Sequence, residues 1–386
     1  MKYQKTSLIL FIIGILFIIT FFIVPKESIK EKLVLSLDKD NVTLNVNDIV
    51  TLKETYSKDN YIVTWSTSDA NIVSVSDGNI KAMAPGVAII TAKVDNLEAK
   101  CNVIVNEITA STDNIMEMHF IANGYYDDSI LIRDNYTVIY IDGGRTEAAK
   151  KDIAYLKYLG ITKIDYMIGS HVEYDHVAAQ ADILDNFEVD KIVYPVDVKT
   201  CHRKCYCVND IDNSVILKGL QKHEKEAIQQ RIPSKDNVGI FNFYYLAPFN
   251  YVCNNNNNSF VFIMTYGNNS FMFTGDADSA LRNPNKLVKN AKELGLENIN
   301  VDVFKHPHHG NETLSNSLFP AINAKYFIVP NYGFSRFPNQ TNLTNIKNRG
   351  IKVYRQSESK TGNILITSDG DNIEFIMDVV AKDYAR

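Results

Sequence analysis

His171-Val172-Glu173-Tyr174-Asp175-His176 places two imidazoles and two carboxylates directly after the apolar run Ile164 to Ser170. Such nitrogens and oxygens are what divalent Zn or Mn accepts. A strand followed at once by ligand-type residues is the pattern of an α/β layered domain, whose functional groups collect at strand ends. Two further pieces repeat the arrangement: Thr274-Gly275-Asp276 follows Phe271-Met272-Phe273, and His306-Pro307-His308-His309-Gly310 follows Val301 to Lys305. The chain has eight histidines, five of them in two of these three pieces, which random placement does not readily give. The reading is a one- or two-metal hydrolytic centre assembled by the fold. Its competitor is a set of ordinary core and surface histidines.

Around this stretch the chain alternates strands and helices. Met116 to Phe120, Ile130 to Ile132 and Thr137 to Ile141 read as strands, the last stopped by Asp142-Gly143-Gly144. Ala148 to Leu159 reads as a helix with Ile153, Leu156 and Leu159 on one face and Gly160 as its stop. Lys199 to Asn237 reads as an insertion with a charged helix near Gln221 to Gln230 and the cluster Cys201-His202-Arg203-Lys204-Cys205-Tyr206-Cys207. That cluster suits a disulfide or free thiols, with a small thiolate metal site as the alternative. Asn254 to Asn258 reads as a polar loop, with compositional drift accounting for at least three of the asparagines.

Upstream, residues 33–106 alternate short apolar runs with turn residues, as an all-β sandwich does, and Trp65 reads as the core anchor between its sheets. The segments Ile72 to Val75, Gly78 to Gly86 and Ala88 to Ala92 closely resemble the bacterial Ig-like group 2 domain. That resemblance implies an extracellular spacer or adhesive unit. Glu107 to Asp113 reads as a polar linker. Further upstream, Leu8 to Val24 is interrupted only by Gly14 and Thr20 and is about 25 Å long as a helix, close to a bilayer core. No small-x-small cleavage site follows, so residues 1–25 are expected to be an uncleaved transmembrane anchor. Lysines flank both ends, leaving the Ig-like resemblance to orient the protein: single-pass in the cell membrane, with the C-terminal ectodomain outside.

A length of 386 residues allows several domains with full cores, and a net charge of −5 excludes the electrostatic footprint of a general nucleic-acid binder.

The chemistry follows from the three ligand pieces. His171 can turn to one metal and Asp175 with His176 to a second; Asp276 can bridge both, and one histidine of His308-His309 completes the set. Water between two such cations ionises near neutral pH, giving a hydroxide nucleophile. The set resembles the metallo-β-lactamase fold superfamily, whose pattern is His-x-His-x-Asp-His, a bridging Asp and a later His. More narrowly, residues 116–375 look like the extracellular hydrolase domain of ComEC-type competence proteins. The matches are His119-Phe120 with Asp128 to Ile132; Tyr140 to Gly144; Asn258 to Val261 leading to Thr274-Gly275-Asp276; Lys305-x-Pro-His-His-Gly; and Gly350 to Arg355 followed by Gly362 to Ile366.

The resemblance implies an αββα domain over residues 114–386, behind the Ig-like sandwich (33–106) and the anchor. It implies metal ligation by His171, Asp175, His176, Asp276 and His308 or His309, with Zn2+ or Mn2+ as one or two ions. Asp142 would orient the ligand loop, and Lys305 would lie beside the site, facing phosphate or solvated at the strand end. There are departures. Glu173 replaces the second motif histidine, still a competent ligand but one that favours harder ions such as Mn. The third-motif ligand has only His202, His223 and Asp197 as candidates. The Gly-His-Pro of the family is Arg336-Phe337-Pro338, so that Arg336 is left to bind substrate phosphate. Ala178-Ala179 stands for Gly-Gly.

The function expected is a membrane-anchored, outward-facing phosphodiesterase acting on extracellular nucleic acid or cell-envelope phosphodiesters. The alternatives are a surface binding or adhesion protein with a decayed site, and a β-lactam or thioester hydrolase.

Overall fold

The computed structural model describes residues 33–46, 48–106, 114–124, 127–201, 214–249, 256–331 and 338–381. The anchor over 1–25, the linker Glu107 to Asp113, His202, Cys205, Cys207 and Arg336 lie outside the described residues. Among those described, no helix is long and apolar enough to cross a membrane. The chain divides after Asn106 into two units.

Among the described residues of the first unit, the elements are strands. One sheet orders Asn41–Asn45, Leu97–Asn106, Gly86–Val94 and Thr64–Thr67; a second orders Ile49–Thr51, Asn79–Ala82 and Val73–Ser76; Leu35–Leu37 pairs separately with Glu54–Tyr56. Alternate residues along Gly86–Val94 are buried, the period-two signature of a strand with one face inward. Val73, Ile80, Ile90, Cys101 and Val103 form the core. Trp65 is only half-buried against it, because Thr64–Thr67 is an edge strand. The expected central anchor is therefore a flank.

The second unit is a four-layer αββα sandwich. Its first sheet has eight strands in the order Ala227–Gln229, Glu188–Tyr194, Lys163–Ile168, Val138–Asp142, Ser129–Arg133, Met116–Phe120, Ile364–Ser368 and Ile373–Met377. The second has seven: Ser234–Val238, Phe241–Ala247, Val261–Tyr266, Asn269–Phe273, Val303–Lys305, Tyr326–Val329 and Lys352–Arg355. Met118, Ile130, Ile139, Tyr166, Phe243, Phe262, Phe271 and Val303 meet between the sheets. The outer face of the first sheet is covered through Tyr155, Leu156, Ile183 and Leu220, and that of the second through Leu287, Ala291, Leu318 and Ile346. Met116–Phe120 and Ser129–Arg133 are buried on both faces, as strands between two covered layers must be.

The helix read over Ala148 to Leu159 is Thr146–Tyr158, and Gly160 ends it with φ +76°. The charged helix expected near Gln221 to Gln230 is different: a helix covers Ser214–Lys222, and Ala227–Gln229 is an edge strand parallel to Glu188–Tyr194. The reason is burial, since Ile216 and Leu220 pack into the layer over the first sheet while the charged residues beyond them have no apolar face to dock.

Parallel pairing positions the site. Val138–Asp142 pairs in parallel with Lys163–Ile168, and Asn269–Phe273 with Val303–Lys305. Asp142, the loop at His171, the turn at Asp276 and the His308-His309 turn therefore all emerge at carboxyl ends of parallel strands.

Candidate metal centre

Each imidazole of this cluster is held by its Nδ1 edge. His176 Nδ1 donates to Asp142 Oδ2 at 2.9 Å, and His171 Nδ1 lies 3.1 Å from Ser170 Oγ. His309 Nδ1 is 3.3 Å from Asp128 Oδ1, and His308 Nδ1 is 2.9 Å from Glu312 Oε1. A carboxylate at Nδ1 keeps the proton there and leaves a lone pair on Nε2. Those Nε2 edges face Asp276: His176 lies 3.3 Å from its Oδ1, and His309 and His308 lie 3.7 and 3.8 Å from its Oδ2.

The ligand atoms of His171, His176 and Asp276 all fall within 4.8 Å of one another, as do those of Asp175, His176 and His309. Asp276 thus presents one oxygen to the first loop and the other to the histidine pair. His171 Nε2, His176 Nε2 and Asp276 Oδ1 are buried and have no hydrogen-bond partner. Each such group costs about 1–3 kcal/mol unless something satisfies it. A divalent cation is the partner these atoms fit: two imidazole nitrogens and a carboxylate oxygen, all acceptors, converging in a buried place.

The electrostatics agree. Burial pushes the Asp276 carboxyl up, but the imidazoles of His176, His309 and His171 outweigh it and hold the group well below the ordinary range. Burial lowers His176, yet the Asp276 and Asp142 carboxylates carry it well above its ordinary value. Without an ion, a proton on His176 supplies the positive charge these carboxylates draw, and a bound cation would displace it.

The scaffold under the ligands is specific. Asp142 takes φ +60° and accepts from Ser170 N at 2.7 Å and Ser170 Oγ at 2.8 Å, tying the end of one strand to the loop after the next. Gly275 takes φ +48°, and a Cβ there would lie 2.9 Å from Ser170 Oγ, so only glycine fits between the two ligand loops. Ser259 Oγ accepts from Asp276 N at 3.0 Å.

Glu173 precedes the short helix Tyr174–Val177 and places its Oε2 3.7 Å from His171 Nε2, within reach of an ion held by His171. Burial raises its carboxyl, and the His171 imidazole overrides that to lower it. Asp175 is half-buried, 3.5 Å from Arg145 Nη2. Lys305 requires a correction. It is buried, donates to Gly275 O at 3.0 Å and is ion-paired with Asp128, so it faces neither phosphate nor solvent. Burial raises Asp128, but Lys305 and then His309 bring it down to about 2.

Of the third-motif candidates, His223 pairs with Asp185 at 2.5 Å, away from this cluster, and Asp197 accepts from Lys199 N at 2.9 Å. Neither belongs to the converging groups found among the described residues. His306 is buried with Nδ1 2.9 Å from Pro307 O, and burial takes it down to about 4. Of the asparagine run, Asn254 and Asn255 lie outside the described residues, and Asn256 and Asn258 have places in the fold. Asn256 Nδ2 lies 3.4 Å from His308 Nδ1, and Asn258 is fully buried.

Sequence reasoning missed Asp128, Ser170, Arg145 and Glu312. The available signal was Asp127-Asp128 abutting the apolar strand Ser129–Arg133, where two acids are costly unless paired.

No family model matches the chain. An uncharacterised protein of Clostridium acetobutylicum is 54% identical over 50 residues, and the chain spans only 5% of that relative's length, using 12% of its own. Among solved structures, it is similar to the Rm3 metallo-β-lactamase at 16% identity over 53% of this chain and 79% of that one, with a TM-score of 0.36. MEM-A1, a subclass B3 metallo-β-lactamase from a soil metagenome library, is 12% identical over 53% and 82%, with a TM-score of 0.33. Domains 4 and 5 of the S-layer protein SbsC are 23% identical over 19% and 51%, with a TM-score of 0.18.

Proposed function

We propose that residues 114–386 form a metal-dependent hydrolase using Zn2+ or Mn2+, one ion or two, and acting on phosphodiesters. The observation that carries this is the convergence of buried, unpartnered His171 Nε2, His176 Nε2 and Asp276 Oδ1, with His308 and His309 on the other carboxylate oxygen. His171 and His176 would hold a cation with Asp276, His176 facing its Oδ1 and the histidine pair its Oδ2, while Glu173 lies beside His171, and Asp175 beside His176 and His309. A cation held there supplies a Lewis acid for the reacting oxygen and acidifies nearby water. The chain's own groups do the rest. Asp142, Asp128 and Glu312 fix imidazole orientation, and burial excludes competing solvent from the nitrogens of His171, His176 and His309.

Arg145 is already neutralised, its guanidinium paired with Asp127 at 2.7 Å and with the half-buried Asp175 at 3.5 Å, so the phosphodiester class rests on the ComEC-type resemblance. The membrane anchor and Ig-like spacer expected upstream would put this activity outside the cell, on extracellular nucleic acid or envelope phosphodiesters. A decayed binding protein would have no reason to keep unsatisfied buried ligands, which only cost stability.

The test is elemental analysis of the full chain purified without added metal, together with hydrolysis of bis-p-nitrophenyl phosphate and nitrocefin. Bound Zn or Mn, phosphodiester turnover and its loss in Asp276→Ala are expected. Activity surviving in Asp276→Ala would sink the mechanism, and turnover of nitrocefin alone would move the substrate to β-lactams.

A further inference from the structure

His308 and His309 are consecutive non-glycine residues with φ +50° and +53°. Left-handed backbone of this kind costs on the order of 1 kcal/mol or more per residue and persists where surrounding contacts demand it. Here it aims both rings from one turn at the same atom, Asp276 Oδ2, at 3.8 and 3.7 Å. The two rings are held differently. His309 is buried on Asp128, itself locked by Lys305, whereas His308 is about a quarter exposed, with a side-chain accessibility of 26%, and leans on Glu312.

Glu312 Oε1 accepts from His308 Nδ1 at 2.9 Å, which puts the lone pair on the Nε2 that faces Asp276. The Glu312 backbone is itself pinned, its carbonyl accepting from the buried Asn342 amide in the helix Gln340–Lys347.

We propose that Glu312 is a positioning residue that makes His308 a metal ligand, so that both histidines of the pair, not one, hold the cation at Asp276 Oδ2. This rests on the metal-centre reading above. Removing Glu312 frees the His308 ring to turn and to place its proton on either nitrogen, which weakens ligation without touching Asp276 or His309.

Zn2+ titration of the metal-stripped full chain against a chromophoric chelator tests this, with Co2+ absorption as a second readout. Glu312→Ala should weaken one Zn2+ equivalent about 10–100-fold, the range for a lost outer-sphere partner, and His308→Ala should weaken the same equivalent by at least as much. Their combination should be no worse than His308→Ala alone, and both single variants should alter the visible Co2+ bands. Glu312→Gln, whose amide oxygen can still accept from Nδ1, should lose less and serves as the gentler variant if the alanine chain folds poorly. Wild-type binding with Glu312→Ala unchanged, or with losses that add independently, overturns this proposal and leaves the metal centre standing. A wild-type chain that takes up neither ion overturns both.

Discussion

Replacing Asp142 by Asn isolates what one carboxylate does for the cluster. The backbone there has φ +60°, a conformation Asn tolerates as well as Asp, so the substitution changes charge and hydrogen bonding with little strain. Asp142 accepts three bonds: Ser170 N at 2.7 Å, Ser170 Oγ at 2.8 Å and His176 Nδ1 at 2.9 Å. An amide has one acceptor oxygen and one donor NH2. With its oxygen on Ser170 N, the NH2 meets the Nδ1–H of His176, and two donors oppose each other. His176 then moves its proton to Nε2, the atom 3.3 Å from Asp276 Oδ1, and loses the lone pair a cation needs. Loss of such a partner lowers metal affinity about 10–100-fold, or about 1.4–2.8 kcal/mol. Chelator competition with Zn2+ measures it directly, and thermal melts of the stripped proteins check that the fold is kept. A Kd within twofold of wild type would refute the argument that Asp142 sets the His176 tautomer.

Other consequences are equally measurable. Lys305→Met leaves the buried Asp128 uncompensated and should cost about 3–5 kcal/mol in urea unfolding of the stripped protein; a loss below 1 kcal/mol would show that the pair is not a buried support. Burial raises Asp152 from the ordinary 3.8 to about 7, while Ser129 and Tyr140 each donate to its Oδ2 at 2.7 Å. An acid whose folded pKa is raised holds its proton more tightly when folded, so stability falls as pH climbs between those values. From pH 5 to pH 8 this one group should remove about 2.5 kcal/mol, a pH dependence that Asp152→Asn should lack; identical pH profiles would contradict the assignment. Stripping the metal should lower the melting temperature, since a ligand at a thousandfold excess over its Kd adds about 4 kcal/mol to the folded state; equal melts with and without Zn2+ would count against a specific site.

Much of this protein was legible locally. The run Ile164 to Ser170 ending in His171, the turn Asp142-Gly143-Gly144 and the helix closed by Gly160 follow from periodicity and turn chemistry within a few residues. The gathering of histidines and acids at strand ends was visible for the same reason, because a strand's direction fixes where its next loop begins. Lys305 was misread because a lysine at a strand end looks solvated until Asp128, from the other sheet, is packed against it. Glu312 and Ser170 gave no signal either, since a carboxylate or hydroxyl earns its role only when a particular imidazole edge is turned to it.

What the sequence by itself determined is the set of ligand types and the strand ends that carry them, because those depend on short-range alternation and turns. What only the tertiary structure decided is which nitrogen of each histidine faces Asp276. That depends on two sheets closing over a shared core and bringing Asp128, Asp142 and Glu312 to the Nδ1 edges, a pairing of distant segments that no local pattern encodes.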